Sequence, residues 1–149
     1  MIRHYIYPPT YLLISIVLMA LLNLLLPLGK IIPEPWNLLG ISLLILGILI
    51  NVLADNAFRL AGTTVKPFEE STLLITSGLY RYTRNPMYLG FVSILIGIAI
   101  LLGSLAPFVI VALFSSLLDR EFITVEEEML EKRFETKWYE YRMKARRWI

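Results

Sequence analysis

The chain has 149 residues, of which 57% are hydrophobic and 17% are charged, and its formal net charge is +2 at pH 7. Its mean hydropathy of +0.67 is too high for a soluble domain of this length and indicates a membrane protein. The chain has no cysteine, which excludes disulfides, thiolate metal sites and cysteine nucleophiles. Since it has only one histidine, we expect no metal site, and we predict no nucleic-acid partner.

Three apolar runs follow one another along the chain, at residues 11–28, 36–54 and 87–118. A helix that crosses the hydrocarbon core of a bilayer needs about 20 residues, so each of the first two runs fits one span. The third run is too long for one span and contains Gly103 and Ser104 near its middle, which predicts a helical hairpin. We therefore expect an all-α integral membrane protein with four transmembrane helices.

Basic residues are concentrated on one side of this predicted bundle. With four spans, both termini lie on the same side as the loop at residues 55–85. That side carries Arg59, Arg81, Arg84 and every basic residue from 120 to 147, whereas the opposite side carries Lys30 and little else. The positive-inside rule therefore places both termini and this loop in the cytoplasm.

The spans contain small residues and end in polar ones. Small residues that let helices approach closely recur at near-helical spacing in the second and third spans: Gly40, Gly47, Ser93 and Gly97. At the end of the second span, Asn51, Asp55 and Arg59 are four residues apart and share a helix face. This face is either an interfacial Asp55–Arg59 ion pair or the wall of a wet, substrate-binding cavity.

Beyond residue 118 the chain is charged yet contains no proline or glycine, which predicts one cytoplasmic amphipathic helix. Four residues share an apolar stripe on it, and two more lie beside the stripe: Glu127, Phe134, Trp138 and Tyr141, with Leu130 and Ala145. Glu128 lies opposite this stripe and Glu126 at its margin. A carboxylate within the stripe is costly unless it is paired, so Glu127 needs a partner.

The stretch GLYRYTRNPMYLG, residues 78–90, is the second polar feature. Asn85 followed by Pro86 predicts a helix N-cap and first turn, so the third span should begin there. Free backbone N–H groups beside Arg84 form a good anion site. Alternatively, Arg81 and Arg84 only bind lipid phosphate. With Glu126 and Glu127 at the other end, the pattern suits a zwitterionic ligand such as S-adenosylmethionine.

These motifs resemble a known family. The string TSGLYRYTRNPMYLG at residues 76–90 is followed, after the hairpin, by the pattern EExxLxxxF at residues 126–134, then by Trp138, Tyr141 and the sequence RRWI. This arrangement is similar to the isoprenylcysteine carboxyl methyltransferases, which are related to integral-membrane phospholipid methyltransferases. The resemblance begins at about residue 58. It divides a single membrane domain, residues 1–149, into two N-terminal spans (1–57) and a methyltransferase-like part that binds the cofactor (58–149).

The resemblance implies which residues bind S-adenosyl-L-methionine: Leu73, Leu74, Ile75, Tyr80, Arg84, Asn85, Pro86, Tyr88 and Glu126. Candidate catalytic residues are Arg84, Glu126 and Glu127. Candidate substrate-binding residues are Asn51, Asp55 and Arg120. Asn85 stands where the prenylcysteine enzymes usually carry histidine, and because an amide does not titrate, this position is not a base.

The predicted function is an S-adenosylmethionine-dependent methyltransferase that acts on a lipophilic or small membrane-partitioned acceptor at the cytoplasmic interface. The acceptor is expected to enter from the bilayer between the second span and the hairpin. An amine, carboxylate, thiol or hydroxyl acceptor is each compatible with the sequence. The alternative is a non-catalytic membrane module that binds anionic lipid or a partner protein. A transporter is disfavoured because the spans lack a charge near the midplane.

Overall fold

The computed structural model describes residues 7–26, 28–62 and 73–149, and residues 63–72 of the predicted cytoplasmic loop lie outside this part. The described chain is helical and contains no β-strand, only two isolated bridges. Its helices are α1 (Pro8–Leu25), α2 (Leu39–Ala61), α3 (Pro86–Leu102), α4 (Ala106–Leu117), α5 (Thr124–Phe134) and α6 (Thr136–Lys144). Short 3₁₀ turns at Trp36–Leu38 and Gly78–Arg81 precede α2 and α3, and a π-helical segment, Leu118–Ile123, joins α4 to α5.

Among the residues that the structure describes, two segments are long and apolar enough to cross a membrane, namely Pro8–Leu25 and Trp36–Ala61. Both leave large hydrophobic side chains such as Val17 and Leu49 exposed, as expected for helices that face lipid. The helix α2 continues to Ala61, beyond the predicted end of the apolar run, and Gly62 closes it in the left-handed conformation. The polar residues at its end therefore lie on the helix.

The predicted hairpin is confirmed. The helix α3 ends at Leu102, and Gly103 turns the chain at a φ of 72°, a conformation that glycine adopts without strain. Three residues after Gly103, the chain is helical again as α4. The carbonyl of Gly103 accepts hydrogen bonds from the backbone of Ile31 and Ile32, at 2.8 and 3.0 Å, so the loop after α1 is tied to the hairpin turn.

Helix α3 is the centre of the bundle. On one face it meets α2 along a seam of four glycines, Gly40 and Gly47 against Gly97 and Gly90. A Cβ atom added at Gly40 would lie 2.3 Å from the Gly97 carbonyl oxygen, and one added at Gly47 would lie 2.6 Å from that of Gly90. Close approach of the two spans is therefore confirmed. Elsewhere α3 packs against α1 and α4 in the main apolar core.

The prediction of one C-terminal helix is wrong in two places. Helix α4 runs without interruption through the π-helical segment into α5, so the tail begins as a continuation of the hairpin. The tail then breaks at Glu135, whose φ is 42°, and resumes as α6. Neither feature uses proline or glycine, which is why composition gave no signal. The break leaves the predicted stripe intact, since Trp138, Tyr141 and Ala145 are buried and pack against Leu130 and Phe134.

Candidate active site

The start of α3 lies where the sequence predicted, but its cap differs from the prediction. Asn85 occupies the N-cap position and Pro86 the first turn, and the Asn85 carbonyl accepts the N–H of Leu89 at 3.0 Å. The Asn85 side chain makes no cap. Its Nδ2 instead donates to the carbonyl of Arg147 at 3.0 Å, because the C-terminal segment passes directly beside it. Asn85 is buried and serves as a link between two segments.

Arg84 is held on three sides by protein groups. Its Nε donates to Oε1 of Glu127 at 2.9 Å, and its Nη1 donates to the carbonyls of Arg142 and Ala145 at 3.3 and 2.5 Å. Its side chain is 9% exposed. Within the described chain, Nη2 is the guanidinium nitrogen that receives no acceptor. Arg84 is therefore a cation held in a fixed position, with Nη2 unpaired among the described residues.

Glu127 has the partner that its place on the apolar stripe requires. Its Oε1 accepts from Arg84, and its Oε2 accepts from Arg147 at 2.7 Å through Nη2 and 3.2 Å through Nε. Burial by itself raises the pKa of this carboxyl, but hydrogen bonds and charges from Arg147 and Arg84 outweigh burial and hold the pKa below its usual range. Glu127 thus stays ionised and fully engaged.

Glu126 has a different environment from its neighbour. It is half-buried, and one oxygen accepts a hydrogen bond of 2.7 Å from the hydroxyl of Tyr88 on α3. Burial raises the pKa of the Glu126 carboxyl to about 7; the Tyr88 hydrogen bond opposes this rise and the Glu127 charge adds to it. No arginine pairs with Glu126 in the described structure, so this carboxylate is able to exchange a proton near neutral pH.

Two further tyrosines line the same region. Tyr80 is buried in the 3₁₀ turn before α3 and stacks edge-on against Phe58 of α2 at 5.4 Å. The hydroxyl of Tyr141 donates to the Tyr80 carbonyl at 2.6 Å. Burial, followed by the charges of Tyr141, Glu126 and Asp55, raises the pKa of Tyr80 well above its usual value. Tyr80 therefore stays neutral, between the end of α2 and the start of α5.

An aromatic cluster from α6 lies next to Arg84. Trp138 is 2% exposed and packs with Tyr141, Ala145 and Leu74. Its ring centroid is 5.9 Å from the Arg84 guanidinium carbon. The indole Nε1 of Trp138 is buried and has no hydrogen-bond acceptor in the described structure. A buried donor of this kind is uncommon in proteins unless a ligand or water satisfies it.

The structure brings together most of the predicted cofactor-binding residues. Arg84, Asn85, Pro86 and Tyr88 lie within five residues at the start of α3, and Glu126 contacts Tyr88. Leu74 packs on the aromatic cluster, Ile75 is half-buried, and Leu73 is 51% exposed.

The predicted substrate-binding residues are not brought together in the same way. Asn51 lies inside the glycine seam: its Nδ2 donates to the Gly47 carbonyl at 3.0 Å, and its buried Oδ1 has no described partner. Asp55 lies one turn further along α2, near Tyr80, and forms no ion pair with Arg59 within the described residues. Arg120 is exposed and lines an open cavity of about 350 Å³ with Ser115, Ser116, Asp119 and Trp148.

The residue that sequence reasoning missed is Arg147. It pairs with Glu127 and also donates to Asp119 at 3.3 and 3.4 Å, while the indole of Trp148 donates to Asp119 at 3.3 Å. The sequence RRWI contributes only to the family resemblance. Nothing in its composition specifies which arginine turns inward, since Arg146 is exposed.

A family model described as phospholipid methyltransferase matches residues 36–137, more than half of the chain. The chain belongs to the phospholipid methyltransferase family. It is also 41% identical, over 76 residues, to a protein-S-isoprenylcysteine O-methyltransferase of Schizosaccharomyces pombe, an alignment that covers 49% of this chain and 31% of that protein. The predicted resemblance to the isoprenylcysteine carboxyl methyltransferases is therefore confirmed.

A solved structure has a similar fold. The eukaryotic intramembrane Ras methyltransferase, an isoprenylcysteine carboxyl methyltransferase, matches with a TM-score of 0.74 at 24% sequence identity. The match covers 99% of this chain and 53% of that chain. This member of the phospholipid methyltransferase family thus spans about half the length of the structural relative and a smaller share of the curated one. Family membership and the exposed apolar helices together indicate an integral membrane protein.

Proposed function

We propose that this protein is an S-adenosylmethionine-dependent methyltransferase whose acceptor is lipophilic or partitions into the membrane. The observation that carries the proposal is the contact between the start of α3 and α5, where Tyr88 donates to Glu126 and Nη2 of Arg84 has no acceptor among the described residues. These two elements are distant in sequence, and their contact supports a ligand site formed between them. Membership in the phospholipid methyltransferase family supports the same reaction.

The residues present suit the chemistry of this cofactor. Nη2 of Arg84 is available to a carboxylate, and a guanidinium prefers such planar anions. Glu126 offers an acceptor for an ammonium or ribose hydroxyl, and the buried indole N–H of Trp138 is a donor that lacks an acceptor in the described structure. When bound, S-adenosylmethionine supplies a methyl group on a sulfonium centre. We assign the remaining contacts to Leu73, Leu74, Ile75, Tyr80, Asn85, Pro86 and Tyr88.

The two glutamates receive different roles. Glu127 is ionised, buried and shared between two arginines, so it holds Arg84 in place and takes no part in proton transfer. Glu126 has a pKa near neutrality, raised by burial, and only a tyrosine hydroxyl as a described partner. We therefore assign proton removal from the acceptor to Glu126, since a base works best when its pKa lies near the working pH.

Charge around Glu126 favours an amine as the acceptor. Glu126 and Asp55 both lie close enough to Tyr80 to raise its pKa, after the larger effects of burial and Tyr141. These two carboxylates, beside aromatic rings, attract the ammonium group of an acceptor and repel the carboxylate of an acceptor. The proton that an amine must lose before methylation then has Glu126 as its acceptor. A carboxylate acceptor would need no base and would meet this negative charge.

The route of the acceptor is restricted by the glycine seam. The helices α2 and α3 are in backbone contact at Gly40 and Gly47, so a hydrocarbon chain has no passage between them along that length. We place the entry further along α2, beside Asp55 and Phe58, where Tyr80 is the next neighbour. We further propose that all four predicted spans cross the bilayer, that residues 58–149 form the cofactor-binding part, and that both termini and the site face the cytoplasm.

The test is transfer of a labelled methyl group from S-adenosylmethionine by purified protein, with matched amine, carboxylate, thiol and hydroxyl amphiphiles as acceptors. We expect transfer to the amine. Arg84→Ala should raise the KM for the donor by about 10- to 100-fold, because it removes a charged hydrogen bond. Arg81→Ala is the matched control, since Arg81 is an exposed arginine of the preceding turn.

Two outcomes would overturn the proposal. Equal donor KM values in the Arg84 and Arg81 variants would remove Arg84 from the cofactor site. No transfer to any acceptor, together with no calorimetric binding of S-adenosylhomocysteine and strongly salt-dependent binding to anionic liposomes, would instead favour the non-catalytic lipid-binding module.

A further inference from the structure

The C-terminal segment, residues 145–148, returns to the residues just before α3, where Arg146 forms an isolated parallel bridge with Thr83. The N–H of Arg146 donates to the Tyr82 carbonyl at 3.2 Å, and the N–H of Arg84 donates to the Arg146 carbonyl at 2.8 Å. The hydroxyl of Thr83 donates to the Arg147 carbonyl at 3.3 Å, and Nδ2 of Asn85 donates to the same carbonyl at 3.0 Å. This docking fixes where the side chain of Arg147 begins.

From that position Arg147 bridges two carboxylates. Its Nη2 and Nε donate to Oε2 of Glu127, and its Nη1 donates to both oxygens of Asp119. The Glu127 side chain is 8% exposed, whereas those of Arg147 and Asp119 are 35% and 37% exposed. Arg147 is therefore anchored in the buried half of the site by Glu127 and in its outer half by Asp119.

Each oxygen of Glu127 pairs with a different arginine, and this pairing determines which nitrogen of Arg84 stays without an acceptor. A carboxylate beside an arginine often takes two parallel hydrogen bonds from Nε and an adjacent Nη nitrogen. Here Nε of Arg84 reaches Oε1 and its Nη1 is used by carbonyls of α6 and the C-terminal segment. The second carboxylate oxygen, which would otherwise pair with Nη2 of Arg84, is held by Arg147 instead.

We propose that Arg147 is a positioning residue that keeps Nη2 of Arg84 free for the anionic group of the methyl donor. By occupying Oε2 of Glu127, it prevents Glu127 from closing both oxygens onto Arg84. This inference rests on the proposed function, because it concerns the same donor site. Without Arg147, Glu127 rotates onto Nη2 of Arg84 and competes with the donor for it.

The expected signature is a change in donor affinity. Arg147→Ala should raise the KM for S-adenosylmethionine by about tenfold or more while kcat stays within about twofold, because binding in the ground state and transition state is lost equally. The dissociation constant of S-adenosylhomocysteine, measured by calorimetry, should rise in parallel. Arg146→Ala is the matched control: it removes the same charge one residue earlier, from an exposed side chain.

A second substitution separates positioning from a merely structural role. In the Arg147→Ala background, Glu127→Gln removes the anion that would capture Arg84, so the double variant should recover a donor KM close to that of Glu127→Gln alone. A structural role predicts no such recovery, because two damaged contacts would add. If Arg147→Ala does not fold, the double variant is still compared with Glu127→Gln, and a tenfold higher donor KM in the double variant overturns the proposal.

The failures of the two proposals are distinguishable. If the unmodified protein neither transfers methyl groups nor binds S-adenosylhomocysteine, the proposed function fails. If the unmodified protein is active and Arg147→Ala behaves like Arg146→Ala, the proposed function stands and the positioning role of Arg147 is wrong. A fall in kcat at unchanged donor KM in Arg147→Ala also overturns the positioning role.

Discussion

At the scale of single residues, the central contrast is between two consecutive carboxyls that lie in opposite electrostatic surroundings. Two arginines hold Glu127 ionised, so its contribution to folding stability is present at neutral pH and is lost as the pH falls through its lowered pKa. Glu126 behaves in the reverse sense. Its folded-state pKa is raised by burial, so its contribution is present at acid pH and is lost as the pH rises through about 7.

This contrast predicts the pH dependence of methyl transfer to an amine. The rate should rise with pH through about 7 as Glu126 loses its proton. Only the ionised carboxylate of Glu126 is able to take the proton that the amine loses. Glu126→Gln should lower kcat by about 10²-fold or more and abolish this rise. The measurement is the pH profile of kcat, with the exposed Glu128→Gln as control. An unchanged profile in Glu126→Gln would rule out Glu126 as the base.

The sequence predicted the residues of this site better than their contacts. Glu127 was expected to need a partner because it lies on an apolar stripe, and Arg84 was expected near the start of α3. Their direct ion pair was not expected, since each was assigned to an opposite end of a ligand. Arg147 was missed because its partners, Asp119 and Glu127, are 28 and 20 residues away, and only the docked C-terminal segment brings them together.

At the scale of helices, the glycine seam fixes the distance between α2 and α3 and so places Asp55 and Phe58 beside Tyr80. Small residues at near-helical spacing made close approach predictable, and Ser93, between Gly90 and Gly97 on α3, donates its hydroxyl to the Leu89 carbonyl of its own helix. The break at Glu135 was not predictable in this way. It immediately precedes α6, on which Trp138 and Tyr141 are buried, and no residue preference marks that point.

The seam predicts the effect of adding one methyl group. Gly97→Ala should lower the free energy of unfolding by about 1–3 kcal/mol, because its Cβ would lie 2.7 Å from the Gly40 carbonyl oxygen and force the helices apart. Thermal unfolding in detergent measures this change. Ser116→Ala, at an exposed position of α4, is the control and should have little effect. A Gly97→Ala protein as stable as this control would show that the helices do not depend on close contact.

At the scale of the whole molecule, the fold gathers the functional groups at one end of the bundle. Arg84, Tyr80 and Glu126 come from the turn before α3 and from α5, while Asn37, whose Nδ2 donates to the Leu101 carbonyl, and the Gly103 turn lie at the other end. The hairpin of α3 and α4 causes this arrangement. Helix α3 leads from the site to the Gly103 turn, and α4 leads back, so α5 begins at the same end of the bundle as α3. If all four proposed spans cross the bilayer, the site and both termini lie on the same side, which we propose is the cytoplasmic side.

The absence of native cysteine makes that topology directly measurable. Single cysteines placed at Lys30, in the loop after α1, and at Lys144, at the end of α6, are both at exposed positions. With an impermeant maleimide on intact cells, we expect labelling of Lys30→Cys alone, because the basic end of the bundle is retained in the cytoplasm. After permeabilisation, both should react. Labelling of Lys144→Cys in intact cells would place the site outside, where a cytoplasmic donor does not reach it.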